Sequence, residues 1–315
     1  MESSNRHSRS PIIAAFAPGP AEHEPVDFGL AASRITGAPL VIVAVQHGVP
    51  VMHEVVYDHD EAIARLRATL EHAGIHDPDI RVFDDSNGAD GLVRAIDEIH
   101  PELIVLGVTR KGARASKLLG TTAQRVIHEG ACPVAIVPSG YQRPEGGVRV
   151  IGAAYGPTEE RREVLEAAVV LARAAGTRVR AITVLNPKHA ADQSHGLLAE
   201  QRHDVSTAES KTERERAGSE AELAAAVAEL GGDVEIDVDV LVGAPVECLI
   251  AASRHTDLLV MGSSAREARR RIVLGSVSRD VLAGAACPVL VLPRGAGPQS
   301  EALLADAVAQ AAGSD

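Results

Sequence analysis

The feature that most constrains this chain is a repeat. Gly107, Gly120, the Ala131-Cys132-Pro133 run and Pro138 recur as Gly262, Gly275, Ala286-Cys287-Pro288 and Pro293, each 155 positions later. The first copy reads LIVLGVTRKGARASKLLGTTAQRVIHEGACPVAIVP from Leu103, and the second reads LLVMGSSAREARRRIVLGSVSRDVLAGAACPVLVLP from Leu258. In each, an apolar run of strand length ends in glycine, a basic loop follows, and Gly-Thr or Gly-Ser opens a segment with helical spacing. One supersecondary plan is written twice, and the start of such a helix is where an α/β unit holds a phosphate.

Length agrees with duplication, since 315 residues at about 150 per domain predict two domains, each large enough for its own core. Aromatic residues make up only 2% of the chain and there is no Trp, so the core must be Val, Ile, Leu and Ala. Those residues suit a parallel sheet covered by helices. A formal charge of −12 argues against a nucleic-acid binder, so any anion site must be locally basic. Cys132, Cys248 and Cys287 form neither CxxC pairs nor an even disulfide set, which points to a reducing compartment. No apolar stretch approaches about 18 residues, and no apolar core of signal-peptide length follows the N-terminal MESSNRHSRSP. The expectation is a cytoplasmic protein without membrane or nucleic-acid partners.

Periodicity places strands at Ile12–Ala17, Leu40–Val45, Ile80–Phe83, Leu103–Leu106 and Val134–Val137, with helices at Glu22–Thr36, Asp58–His72, Gly91–Ile99 and Thr121–His128 between them. Gly37 closes the first helix. The second half repeats the order with strands Val148–Tyr155, Val179–Leu185, Val234–Val240, Leu258–Met261 and Val289–Leu292. Its helices are Glu159–Ala175, closed by Gly176, then Val246–Arg254 and Val277–Ala283. Gly37 matches Gly176 at an offset of 139, against 155 for the later glycines, so the second half carries about 16 extra residues. They fall within 186–217, rich in charge, His and Ser, which reads as a solvated or partly disordered insertion.

The expected fold is α/β: two tandem, doubly wound, five-stranded parallel-sheet domains of Rossmann-like type forming a pseudo-twofold pair. Residues 1–10 are expected to be disordered, 11–139 to form domain 1, 140–147 a linker rich in Pro and Gly, 148–294 domain 2 and 295–315 a tail. The strands Val134–Val137 and Val289–Leu292 are the natural contact between the halves, because pairing them removes two exposed edges.

Glycine, two residues, a fourth position, nine residues and Gly-Ser or Gly-Thr, after a strand such as LLVMG and before Cys-Pro-Val, resembles the nucleotide loop of universal stress proteins. Gly262-Ser263-Ser264-Ala265, nine residues, then Gly275-Ser276-Val277-Ser278 reproduce that spacing. Gly107-Val108-Thr109-Arg110, nine residues, then Gly120-Thr121-Thr122 reproduce it again. The resemblance covers almost the whole chain and implies a non-catalytic stress-response regulator that binds ATP, with or without Mg, mainly in domain 2. The family also has members that do not bind nucleotide. The alternative is therefore a nucleotide-free scaffold that regulates partner proteins through its pseudo-dimer packing, either within one chain or as a homodimer. No general acid or base can be defended from spacing, so no catalytic residue is expected, and at most very slow ATP hydrolysis.

The spacing has a physical reason of its own. Gly262 and Gly107 lack a Cβ and let backbone approach a ligand closely. Gly275 and Gly120 open helices whose first N–H groups lack partners and whose dipole favours an anion. Ser276, Ser278, Thr121 and Thr122 add hydroxyls. Arg269 and its neighbours Arg266, Arg270 and Arg271 make the loop locally positive. Solvated loop charges and plain turn glycines are the alternative for each feature taken singly.

Departures from the family pattern bear on affinity. Universal stress proteins that bind ATP usually place an aspartate at the end of the first strand, toward the ribose, whereas Ala17 and Gly156 stand there in this chain. The second glycine of the loop is replaced by Arg110 in the first half and by Ala265 in the second, and alanine is the smaller intrusion. The resemblance puts adenine against backbone near Val45 or Val184, with Met261 as an edge contact, all three being equally readable as strand core. His72 and His76 share a four-residue spacing seen in zinc sites, but Gly74 lies between them and no third ligand is evident, so no metal is expected. Cys132 and Cys287 read as small buried residues rather than nucleophiles.

Overall fold

The computed structural model describes residues 9–17, 23–47, 59–72, 75–108, 119–130, 132–156, 161–186, 205–230, 232–263, 272 and 274–293. In the first half, β1 (Ile12–Phe16), β2 (Leu40–His47), β3 (Asp79–Asp85), β4 (Leu103–Gly107) and β5 (Val134–Val137) alternate with α1 (Glu24–Thr36), α2 (His59–His72), α3 (Gly88–Ile99) and α4 (Thr121–Glu129). The second half has β6 (Val150–Ala154), α5 (Arg161–Ala175), β7 (Arg178–Leu185), α6 (Val205–Leu230), β8 (Ile236–Val242) and α7 (Pro245–Ala252). A short 3-10 turn, Ser253–His255, then leads to β9 (Leu258–Gly262), α8 (Ser276–Gly284) and β10 (Val289–Leu292).

Local chemistry explains the boundaries. Gly37 follows α1 at φ 72° and Gly176 follows α5 at φ 62°, left-handed positions that glycine adopts without strain. Asn87 starts α3 by accepting the N–H groups of Ala89 and Asp90 on its side-chain oxygen. Buried Ala89, Leu92, Ala95 and Ile96 then form the stripe that faces the sheet. Strands β5 and β10, VAIV and VLVL, are buried at every residue, as a central strand covered on both faces requires.

The ten strands form one sheet in the order β3-β2-β1-β4-β5-β10-β9-β6-β7-β8. Neighbours are parallel throughout except at the centre, where β5 and β10 pair antiparallel. The expected contact between the halves is therefore present as backbone pairing, and two five-stranded units become one continuous sheet. Alternate residues of β1 supply opposite cores. Ile12, Ala14 and Phe16 pack with α1, α2 and α5, while Ile13 packs in the core that holds Leu92 of α3, Val126 of α4, Leu249 of α7 and Val281 of α8.

Three segments carry more structure than the sequence reading placed there. Residues 205–217, assigned to a solvated insertion, are the first half of the 26-residue helix α6. Its anchor lies further on, where Leu223 is fully buried and Ala226, Val227 and Leu230 pack partly against the same core at helical spacing. Residues 187–204 lie outside the described residues, as do 1–8 and the tail from 294. Arg9, assigned to a disordered terminus, donates from Nη1 to the carbonyl of Thr36 at 2.9 Å. The linker is docked on the fold: Gly140 N–H donates to Glu24 Oε1 at 2.9 Å, and the Tyr141 ring meets Phe28 edge-on at 6.0 Å.

Candidate functional site

In the second half the chain leaves β6 for β7 and β8 on one side, then returns to the other side as β9. β6 and β9 are thus neighbours at a topological switch point, and the crevice beyond their carboxyl ends is where open α/β sheets bind ligands. Ile151 pairs with Leu258 and Ala153 with Val260, so the ends of the two strands lie side by side. Ala154 pairs with Ile182, which places Gly156 and Val184 each two residues past that row. α8 connects the parallel neighbours β9 and β10, so its N-terminus opens at the same edge. The fold therefore brings Gly156, Val184, Met261, Gly262, Gly275 and Ser276 to one end of one sheet. It does the same at β1 and β4 for Val45, Gly107, Gly120, Thr121 and Thr122.

The start of α8 carries no side-chain cap and no acidic residue in its first turn. The first helical bond runs from Arg279 N–H to Gly275 O at 3.0 Å, leaving the N–H groups of Ser276, Val277 and Ser278 without intrahelical partners. Gly275 has φ −69° and ψ 171°, and Gly120 has φ −60° and ψ 153°, angles open to any residue. What glycine contributes there is the missing Cβ. Ser276 is exposed, but Ser278 lies with Val281 and Leu282 on the buried face of α8, so its hydroxyl is turned from solvent. Val277 packs partly against the core. Thr121 and Thr122 of α4 are both exposed.

Ser263, passed over in the sequence reading, is 2% exposed, and its Oγ has no hydrogen-bond partner among the described residues. Its backbone N–H donates to Leu292 O at 3.1 Å. The repeat counterpart, Val108, makes the same bond to Val137 O at 3.1 Å. A hydroxyl thus stands at the end of β9 where the first half has a methyl, and a buried hydroxyl left unpaired costs about 1–3 kcal/mol. Setting Val108 beside Ser263 in the aligned copies is the signal that would have found it.

Other predicted residues are placed less favourably. A Cβ on Gly107 would stand 3.2 Å from Pro25 Cγ, so its bare backbone already accommodates the start of α1. Val45 Cγ1 lies 2.5 Å from where a Cβ on Gly91 would be, which makes Val45 a packing partner of α3. Val184 packs partly against the same core, and Met261 is 4% exposed within it. Met261 is therefore a core side chain. A Cβ on Gly156 meets nothing within 4 Å. Arg110, Ala265 and Arg269 lie outside the described residues.

Burial raises the Cys132 thiol to about 12 and the Cys287 thiol to about 11, so neither forms a thiolate nucleophile near neutrality. Among the described residues no group of three or more His, Cys, Asp or Glu side chains is placed to hold a metal ion. No helix among them is long and apolar enough to cross a membrane.

Comparison with known proteins bears on this geometry. The profile of the universal stress protein family matches residues 9–138 and 147–293. A universal stress protein of Mycobacterium tuberculosis is 30% identical over 208 residues, 64% of this chain and 68% of the relative. A second from the same species is 30% identical over 199 residues, 60% of this chain and 61% of the relative. Among solved structures, a functionally unknown protein from Pseudomonas aeruginosa superposes with TM-score 0.60 at 15% identity, over 97% of this chain and 98% of the other. A universal stress protein from Archaeoglobus fulgidus gives 0.58 at 18% identity, over 92% and 100%. The family profile covers both halves, and the two solved structures share the fold along nearly the full length. The chain belongs to the universal stress protein family, as a member with two tandem domains.

Proposed function

We propose that this protein is a non-catalytic, cytoplasmic regulator of the stress response that binds an adenine nucleotide, foremost ATP, in its second domain. The observation that carries this reading is the unpaired, buried Ser263 Oγ at the end of β9, at the same sheet edge as the uncapped start of α8. Together they offer a hydroxyl and three backbone N–H groups at a switch-point crevice. ATP brings the polyphosphate that such donors satisfy. The N–H groups of Ser276, Val277 and Ser278 hold its charge, Gly262 and Gly275 admit it closely, and Ser263 fixes its orientation. The first domain is the weaker site, because Val108 replaces the serine and Gly107 is backed by Pro25.

A second reading, a nucleotide-free module that regulates a protein partner, is favoured by Ala17 and Gly156, which leave both domains without a ribose carboxylate. Gly275→Asp separates the two. Aspartate at this position caps α8 itself and repels phosphate, so the fold is kept and the anion site is closed. Calorimetric titration with ATP should give heat for the wild type and at least a tenfold weaker response for Gly275→Asp. Absence of heat at millimolar ATP, with no nucleotide released from the denatured wild type, leaves only the second reading.

A further inference from the structure

At the opposite edge of the second domain, where its strands begin, two concavities adjoin. One of about 640 Å³ is walled by Arg149, Arg173, Thr177, Arg178, Asp233 and Glu235 among others, and one of about 510 Å³ by Arg149, Arg178, Arg254, His255, Thr256 and Asp257 with Val150. Four of the wall charges, Arg173, Asp233, Arg178 and Asp257, are already used. Asp233 holds Arg173 through both carboxylate oxygens at 2.7 Å, and Asp237 meets Arg178 at 3.4 Å. Asp257 accepts the backbone N–H groups of Arg149 and Val150 at 2.8 and 3.0 Å. The side chains of Arg149 and Arg254 have no carboxylate partner among the described residues, and both are exposed. With His255 they leave the smaller cavity basic in a protein of net charge −12.

The repeat shows that this basicity is not needed for folding. Strand registers match position for position, so Arg149, Arg178, Arg254 and His255 correspond to Ser10, Pro39, Ile99 and His100 of the first domain. The first domain builds the same edge with one of the four basic residues. Arg254 and His255 follow α7 and complement its carbonyl end, but Ile99 and His100 end α3 without an arginine. Three arginines therefore distinguish the second domain at a place where the shared architecture does not ask for them.

We propose that the smaller cavity binds a compact polyanion, a small molecule carrying two or more phosphate groups, held by Arg149 and Arg254 with His255 beside them. Two uncompensated guanidinium groups call for more than one negative charge, and their fork geometry suits phosphate oxygens. The volume lies in the range of small-molecule sites, of order 300–1,000 Å³. The site is at the far end of the strands from α8, so its ligand does not compete with a nucleotide at the switch point.

The test is calorimetric titration of pyrophosphate into the full chain carrying Gly275→Asp, which closes the α8 site, with and without Arg149→Ala and Arg254→Ala. Binding should persist in Gly275→Asp, weaken at least tenfold when both arginines are removed, and weaken for the single Gly275→Asp variant when salt is raised from about 50 to about 200 mM. Both arginines are exposed, so the melting temperature should hold and report an intact fold. No heat in Gly275→Asp, or unchanged binding after loss of both arginines, overturns the proposal. Tighter binding of citrate than of pyrophosphate overturns its phosphate class.

Discussion

Ala135 of β5 pairs with Leu290 of β10 across the seam between the halves, and each is the other's counterpart in the repeat. Ile136 pairs with Val289 and Val134 with Val291, so equivalent residues exchange partners on either side of that pair. A pseudo-twofold axis passes between Ala135 and Leu290, and the contact is isologous in the sense of a symmetric dimer, although both strands belong to one chain. Among the described residues, pairing them leaves only β3 and β8 as sheet edges.

Stability should therefore depend on the seam far more than on the outer edges. Leu290, 3% exposed, should cost about 2–5 kcal/mol when changed to Ala, through lost burial and the cavity left behind. Val82 on β3, 45% exposed, should cost no more than about 0.5 kcal/mol for the same change. Urea unfolding of the two variants measures the difference, and equal losses would show that the seam is not a principal source of stability.

Ser263→Ala should separate stability from binding. Removing a buried hydroxyl that lacks a partner should raise the unfolding free energy of the ligand-free protein by about 1 kcal/mol. The same change should weaken ATP binding several-fold. Thermal melts without nucleotide and calorimetry with it read the two effects independently. A destabilised variant with unaltered ATP affinity would contradict the role given to this hydroxyl.

Gly156→Asp should restore the missing ribose acceptor. A Cβ at this position meets no atom within 4 Å, and its φ lies outside the left-handed region, so the side chain enters without strain. A charged hydrogen bond is worth about 1.5–3 kcal/mol, which predicts ATP affinity higher by about ten- to a hundredfold. Titration of the variant beside the wild type checks it. An unchanged or weaker affinity would argue against a ribose at the end of β6.

Native thiol chemistry should be confined to Cys248. Cys132 and Cys287 are buried, with thiols raised to about 12 and about 11, whereas Cys248 is half-buried and raised chiefly by desolvation and then by Glu247. An alkylating reagent at mildly alkaline pH should label one cysteine quickly, and all three only in denaturant. The folded-state values of the buried pair lie above the ordinary thiol value of 9.0, so the folded protein keeps protons that the unfolded chain loses. Their contribution is complete below that value and should be lost as pH rises from about 9 through about 11–12. Tyr141, raised to about 12 chiefly by burial, adds to the same loss. Urea midpoints across this window test the sign.

Much of the fold was legible because it rests on short-range rules. Gly37 and Gly176 were readable as helix ends, and both adopt the left-handed conformation that ends a helix. Helix α6 was not readable at all. Its polar sequence is tied to the fold by Leu223 and the stripe that follows, and by ion pairs from Arg161 and Arg162 of α5 to Glu222 and Glu229. Partners some 60 positions away leave no local pattern. The docked linker escaped for the same reason, since Glu24 and Gly140 are 116 positions apart.

By itself the sequence determined the duplication, the α/β class and the glycine frame of two helix starts, because strand length, helical period and glycine spacing are local properties. Only the tertiary structure decided what surrounds each copy. Pro25 fills the space beside Gly107, Ser263 is left buried and unpaired at the end of β9, and three arginines gather where the second domain's strands begin. Each of these depends on side chains brought together across the sheet, and the pairing of Ala135 with Leu290 depends on burying two strands that neither half can cover alone.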